Sequence, residues 1–319
     1  MPSPEPRIVF VGAVVEGRRC LEALIEAGER PIALVTLDPA LAASTSGYVQ
    51  FDDIAATLGV PLLAVRDLNA PPNVELVAAL HPDLILVIGW TRLLGPAVLA
   101  IPELGAIGFH ASLLPRYRGR APVNWAIING ERETGNTMFF LDEGVDTGDI
   151  IDQRRIPIED SDDCSTLYAK VAAAGTDMLL QHLPALKAGR APRRPQDESA
   201  ATVMPRRRPE DGRIDWGRDS HSLFNWVRAL THPYPGAFTF HDGRKLFLWN
   251  VMLGDAAGDA PPGRLVEGLD GSMHVATGSG TLRLGCVQWD GEDEADAGIL
   301  RPLAGVRFDD VRFDDGSNA

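Results

Sequence analysis

The chain has 319 residues, 45% of them hydrophobic and 23% charged, the composition of a soluble protein with a sizeable core in one large or two moderate domains. Its formal net charge of −14 repels polyanions, so nucleic-acid binding would need a basic patch that overrides the field of the whole surface. Cys20, Cys164 and Cys286 are odd in number, far apart and without metal-ligand spacing, which fits a reduced, cytoplasmic protein. The start, MPSPEPRIVF, reads as neither signal peptide nor membrane anchor, and no apolar run has membrane-spanning length.

Arg7 to Val11 is a β-branched run without alternation, the pattern of a strand buried on both faces. Gly12 permits a tight turn. Glu16 to Ala27 then places Cys20, Leu21, Leu24 and Ile25 on one helical stripe that Gly28 ends. The rhythm repeats: strand Ile32–Leu37, helix Val49–Leu58, strand Pro61–Ala64, helix Asn73–Leu80, strand Leu84–Ile88. Such alternation predicts an α/β fold with a mostly parallel sheet, whose ligands sit at the carboxyl ends of the strands. VGAVVEG around Gly12 lacks the third glycine and the spacing of a dinucleotide site, so it reads as a turn. The small polar residues from Asp38 to Gly47 read as a surface loop.

The stretch from Gly105 to Ile150 carries the chemistry-bearing side chains. An apolar run, Ala106 to Phe109, ends on His110, and a loop with arginines at 116, 118 and 120 follows. A second apolar run, Thr137 to Leu141, leads to the acidic turn DEGVDTGD, whose glycines allow Asp146 to be carried into a cleft. Imidazole beside carboxylate is an arrangement for proton transfer. On residues alone, a single histidine near a strand end is more often a structural hydrogen-bonding group than a catalyst, and the arginines serve either an anion or solvent.

IIDQRRIPI reads as a further strand and Ser165 to Leu186 as a long helix, so that residues 1–186 form a catalytic domain. Residues 187–212, with four prolines and clustered arginines, read as a linker. Residues 213–305 carry a helix, Ser220–Leu230, and the short runs Ala237–Phe240, Leu246–Val251, Gly263–Glu267, Met273–Thr277 and Thr281–Val287, which predict a small antiparallel barrel. Residues 306–319 read as a charged peripheral tail.

The block HASLLPRYRGRAPVNWAIINGERETG, followed by LDEGVDTGDII, resembles the 10-formyltetrahydrofolate-dependent formyltransferases. LEALIEAG, PDLILVIGW, RPQDESAAT, GRIDW and RALTHPYPGAF extend the resemblance to about Val287, and RGRAPVNWAIINGE and RALTHPYPGAF lie nearest the aminoarabinose and sugar N-formyltransferase types. The resemblance implies a Rossmann-like first domain and a β-barrel-like (OB-like) C-terminal domain. It also implies formyl transfer from 10-formyltetrahydrofolate to a primary amine, without a metal. His110 matches the active-site histidine and Asp146 the aspartate that supports it. Ser112, Leu113, Leu114, Pro115, Arg120, Asp142, Glu143, Gly144 and Val145 match segments that contact the folate, and Ile88, Gly89, Trp90 and Arg92 match the lining of the pterin pocket.

In the family pattern Asn-x-His the asparagine donates to the developing oxyanion; here its position is Gly108. Losing one such donor costs about 100- to 1000-fold in rate. A working formyltransferase with another donor, a transferase of a different one-carbon or acyl group, and a folate-binding protein without chemistry are the readings this leaves. The acidic charge, and an Asp38–Gly47 loop without Lys or Arg, favour a small-molecule amine such as an amino sugar or amino-acid-like metabolite, with no nucleic-acid or membrane partner. Methionyl-tRNA is the alternative acceptor, PRRRP (Pro205 to Pro209) being the one basic cluster.

Overall fold

The computed structural model describes residues 5–254 and 260–309. Two compact units emerge from the chain. The first comprises residues up to Val123, Arg132–Ile158 and Thr166–Arg206; the second comprises Asn124–Glu131, Glu159–Ser165 and the chain from Arg207 onward.

The first unit is built on β1 (Ile8–Val11), β2 (Ala33–Leu37), β3 (Leu62–Val65), β4 (Leu84–Val87) and β5 (Ala106–His110), parallel strands in the order β3-β2-β1-β4-β5. β6 (Arg118–Gly119) is a two-residue strand outside this sheet. β7 (Glu133–Phe140) then pairs antiparallel with β5, and β8 (Ile150–Pro157) antiparallel with β7, so the sheet is mostly parallel, as expected. The connecting helices are α1 (Val15–Glu26), α2 (Asp52–Leu58), α3 (Pro71–Ala79), α4 (Pro96–Leu99) and the long α6 (Cys164–Lys187), while α5 (Pro122–Ile128) belongs to the second unit from Asn124 onward.

Alternation along the central strands explains their uniformly apolar sequences. Ile8 and Phe10 enter one core with Leu21 and Leu24 of α1 and Met178 and Leu179 of α6. Val9 and Val11 enter a second core with Val77 and Val98. Neither face meets water, so no polar position is needed, and each such side chain contributes about 1.5–3 kcal/mol on burial. The strand order reverses between β1 and β4, which opens a crevice at their carboxyl ends. α1 closes on that edge: a Cβ on Gly17 would collide with the Ile88 carbonyl oxygen. The Asp38–Gly47 loop is shaped by a 3-10 turn, Pro39–Ser44, capped by the Asp38 side chain accepting from Ala40 N. Among the described residues no helix is long and apolar enough to cross a membrane.

The Pro- and Arg-rich stretch expected to be a linker is hydrogen-bonded into the first unit up to Met204. Arg194 exchanges both backbone hydrogen bonds with Ile150, at 2.8 and 3.0 Å. β9 (Val203–Met204) pairs in parallel with β6. Thr202 receives the Tyr117 N–H on its hydroxyl (2.8 Å) and the Arg118 N–H on its carbonyl (2.8 Å). Proline content hid this, because Pro192, Pro195 and Pro205 sit beside the pairing residues rather than at the pairs themselves.

The second unit holds α7 (Ser220–Leu230) and two four-stranded antiparallel sheets. The strands are β10 (Ala237–His241), β11 (Arg244–Leu248), β12 (Val251–Gly254), β13 (Leu265–Glu267), β14 (Met273–Ala276), β15 (Thr281–Leu284), β16 (Cys286–Trp289) and β17 (Ala295–Asp296). They order as β10-β11-β16-β17 and β12-β15-β14-β13. Two runs that read as single strands, Leu246–Val251 and Thr281–Val287, are each divided between the sheets. The breaks face each other: Gly285 N donates to Asn250 O at 3.0 Å, and a Cβ on Gly285 would lie 2.6 Å from the Asn250 side chain. The two early segments are tied in by Asn124 Nδ2 donating to Ala229 O (2.6 Å) and Arg228 Nη1 donating to Glu159 O and Asp162 O (both 2.7 Å). The first residues of the expected tail are packed: Phe308 is 1% exposed and stacks on Trp216, ring centroids 6.2 Å apart. The rest of that tail, 310–319, lies outside the described residues.

The pairing around β9 makes a prediction about proteolysis. Trypsin should cut first after Arg206, which is exposed and beyond β9, and more slowly after Arg193, next to the Ile150 bridge. N-terminal sequencing of the earliest fragments reads the order.

Candidate active site

β5 ends on His110, beside the end of β4, and the ring is buried, 7% exposed. Its Nε2 lies 2.7 Å from the Tyr117 carbonyl oxygen, and its Nδ1 lies 3.4 Å from Asp146 Oδ2. Both neighbours are acceptors. A neutral imidazole with its proton on Nε2 therefore donates to Tyr117 and turns a lone pair toward Asp146. The same Asp146 Oδ2 accepts the Gly119 N–H at 2.8 Å. Tyr117 (φ 61°) and Asp146 (φ 57°) both adopt the left-handed conformation, which aspartate tolerates better than most side chains. Backbone strain of this kind persists only where surroundings hold it.

Those surroundings include the 196–204 stretch. Gln196 Nε2 donates to the carbonyls of Asp146 (2.9 Å) and Gly148 (2.8 Å), while its Oε1 accepts from Arg118 Nη2 (2.7 Å) and Nε (3.2 Å). Arg118, 4% exposed, is held in turn by both oxygens of Glu198 at 2.6 and 2.8 Å. That hydrogen-bonded pairing raises the guanidinium above its usual range and keeps the Glu198 carboxyl below its own. The sequence signal for these groups lay in the QDES run, inside the supposed linker.

The other expected site residues divide into exposed groups and scaffold. Ser112 is buried, and its Oγ donates to Arg116 O (2.6 Å). Leu114 is buried, with its N–H donated to Thr137 Oγ1 (3.1 Å), and Leu113 packs over Gly135. Pro115 O accepts from Thr202 N (3.2 Å). Arg120 Nη1 donates to Thr91 O (2.7 Å), which joins the 112–120 loop to the Ile88–Arg92 segment. In that segment Ile88 is buried, Gly89 needs its positive φ of 64°, Arg92 is exposed, and the buried indole N–H of Trp90 has no hydrogen-bond partner. In the acidic turn Asp142 Oδ1 accepts from Gly144 N (3.1 Å) and Thr147 Oγ1 (2.6 Å), while Glu143 and Val145 are exposed. Among the described residues no group of three or more His, Cys, Asp or Glu is placed to hold a metal ion.

Gly108 lies two residues before His110, and the space beside it is filled by a side chain. A Cβ there would stand 2.6 Å from Leu141 Cδ2. Asn124 and Asn136 are committed elsewhere, their amides donating to Ala229 O and Val171 O.

Comparison with known proteins gives this geometry its context. The family profile described as Formyl transferase matches residues 7–183, and Formyl transferase, C-terminal domain, matches residues 207–300. A methionyl-tRNA formyltransferase of Citrifermentans bemidjiense is 38% identical over 305 residues, covering 95% of this chain and 94% of its own. Among solved structures, HypX from Aquifex aeolicus in complex with tetrahydrofolic acid superposes with a TM-score of 0.66 at 20% identity, over 94% of this chain and 47% of that one. The N-formyltransferase from Helicobacter canadensis, in complex with folinic acid and dTDP-3-aminofucose, gives 0.66 at 16% identity, over 88% and 98%. At these identities the two structures speak for the fold.

The relatives overturn the expected partners. A small-molecule amine with no nucleic acid was read from net charge and from the nearness of a few motifs to sugar-type enzymes, yet the full-length relative is a methionyl-tRNA formyltransferase. Net charge sums the whole surface, whereas a polyanion answers to local clusters such as Arg206, Arg207 and Arg208.

Packing at Gly108 is testable by a double-mutant cycle. Gly108→Ala should destabilise by about 1–3 kcal/mol through the Leu141 contact, and markedly less in a Leu141→Ala background. Urea unfolding of the four proteins measures the coupling.

Proposed function

Because the chain belongs to the formyl transferase family, we propose that it moves a formyl group from 10-formyltetrahydrofolate to the amino group of methionyl-tRNA. The observation that carries the acceptor is the end-to-end match, 38% identical over 95% of this chain, to a methionyl-tRNA formyltransferase. The basic run at Arg206, Arg207 and Arg208 supports it. Arg206 and Arg208 are exposed, whereas Arg207 is half-buried, its guanidinium 4.5 Å from the Trp226 ring centroid and 5.3 Å from that of Trp125. Two exposed cations that flank an arginine packed on aromatic rings suit a phosphate backbone.

The folate fits the residues at the end of β4. The unpartnered Trp90 indole N–H is a buried donor that a polar ring would satisfy, and the exposed Arg92, two residues on, offers a cation. The donor supplies a formyl carbon open to attack by a neutral amine. With the ring proton on Nε2 toward Tyr117 O, His110 would take at Nδ1 the proton that the amine loses and return a proton to the folate nitrogen as its bond to the formyl carbon breaks, so that tetrahydrofolate leaves neutral. The imidazolium so formed meets Asp146 across the 3.4 Å gap, and Gly119 N–H keeps that carboxylate oriented. Gly108 contributes no side-chain donor to the developing oxygen charge, so the proton-transfer pair carries a larger share of catalysis here.

Purified protein should convert methionyl-tRNA to its N-formyl form with 10-formyltetrahydrofolate; transfer to small amines with none to methionyl-tRNA would overturn the acceptor. His110→Ala and Asp146→Asn should each lower kcat by about 100-fold or more, with the double variant little worse than either single one. Arg206→Ala with Arg208→Ala should raise KM for the tRNA without changing KM for the folate, and should reduce the salt slope of tRNA binding by about two.

A further inference from the structure

We propose that Gln196 is a positioning residue for Asp146, with Arg118 and Glu198 as its anchor, an inference that rests on the His110–Asp146 chemistry just described. Asp146 stands in the left-handed region (φ 57°), on a nine-residue loop, Leu141–Asp149, between β7 and β8. Its carboxylate reaches His110 only if the loop backbone is held at that turn. Gln196 holds it from beneath, with both amide hydrogens on the carbonyls of Asp146 and Gly148 and its oxygen on Arg118.

The orientation of the amide is forced. Turned over, the NH2 group would face the guanidinium of Arg118 and the oxygen would face two carbonyls, losing four hydrogen bonds. Arg118 cannot drift, because it is buried and held by both oxygens of Glu198. The anchor is also continuous with the imidazole's other contact. Arg118 follows Tyr117, whose carbonyl faces His110 Nε2, and precedes Gly119, whose N–H holds Asp146 Oδ2. One cross-link therefore sets the backbone on both sides of the ring. A displacement of about 1 Å in such a pair can cost about 100-fold in rate.

The experiment compares wild type, Gln196→Ala and Gln196→Glu, each also in an Asp146→Asn background. Gln196→Ala should lower kcat by about 100-fold with KM for the folate unchanged, and should cost nothing further beside Asp146→Asn. Gln196→Glu keeps the acceptor for Arg118 but turns a second oxygen on the two carbonyls. Its deficit should shrink as pH falls and the carboxyl regains an O–H donor. A merely structural role predicts the same factor in both backgrounds and no change of pH profile, and that result would overturn the proposal. Hydrogen exchange of the Gly119 amide, observed by NMR without any substrate, should speed up in both Gln196 variants; unchanged protection also overturns it. Wild type inactive on methionyl-tRNA would fault the acceptor reading alone, since the Gly119 readout needs no acceptor.

Discussion

The placement of one imidazole between two acceptors organises this molecule. His110 is fixed by Tyr117 O at 2.7 Å and faced by Asp146 Oδ2 at 3.4 Å. The groups that hold it come from four parts of the chain: the end of β5, the 112–120 loop, the 141–149 loop and the 196–204 stretch. None of the last three is regular enough to hold itself. Each leans on another, through Gly119 to Asp146, Gln196 to the 141–149 loop, and Thr202 to Tyr117 and Arg118. The rigid element beneath them is the parallel sheet, whose two-sided core leaves β5 little freedom to shift.

Much of this was legible in the residues. Runs such as RIVFV and LILV announce strands covered on both faces, and the glycines after them announce the turns. His110 at a strand end and Asp146 between glycines were identifiable because each sits where local rules put functional groups. The Gln196–Arg118–Glu198 cross-link was not. Gln196 and Glu198 are 78 and 80 positions from Arg118 and lie in a stretch whose prolines and arginines imitate a linker. Nor was the division of two apolar runs between sheets, because Asn250 and Gly285 become corners only through each other.

The proposed acceptor shows the limit of composition differently. A charge of −14 is a property of the sum, whereas recognition is decided where like charges gather. Arg207 illustrates the distinction: burial pushes its guanidinium below the usual range, while Arg206 and Arg208 on either side remain exposed. A short basic run can thus serve a polyanion on a strongly acidic protein, with the remaining surface discouraging indiscriminate adhesion.

The second unit is assembled from three separate pieces of chain, Asn124–Glu131, Glu159–Ser165 and everything after Arg206. Such threading bears on how this architecture can be inherited. A recombination joint near residue 206 would bring a foreign C-terminal part but leave the two early pieces behind, with Asn124 facing a backbone carbonyl it had not been matched to. Swapping C-terminal units among relatives by simple fusion is therefore disfavoured. Change in this lineage is expected to proceed by substitution within an intact, interlaced chain.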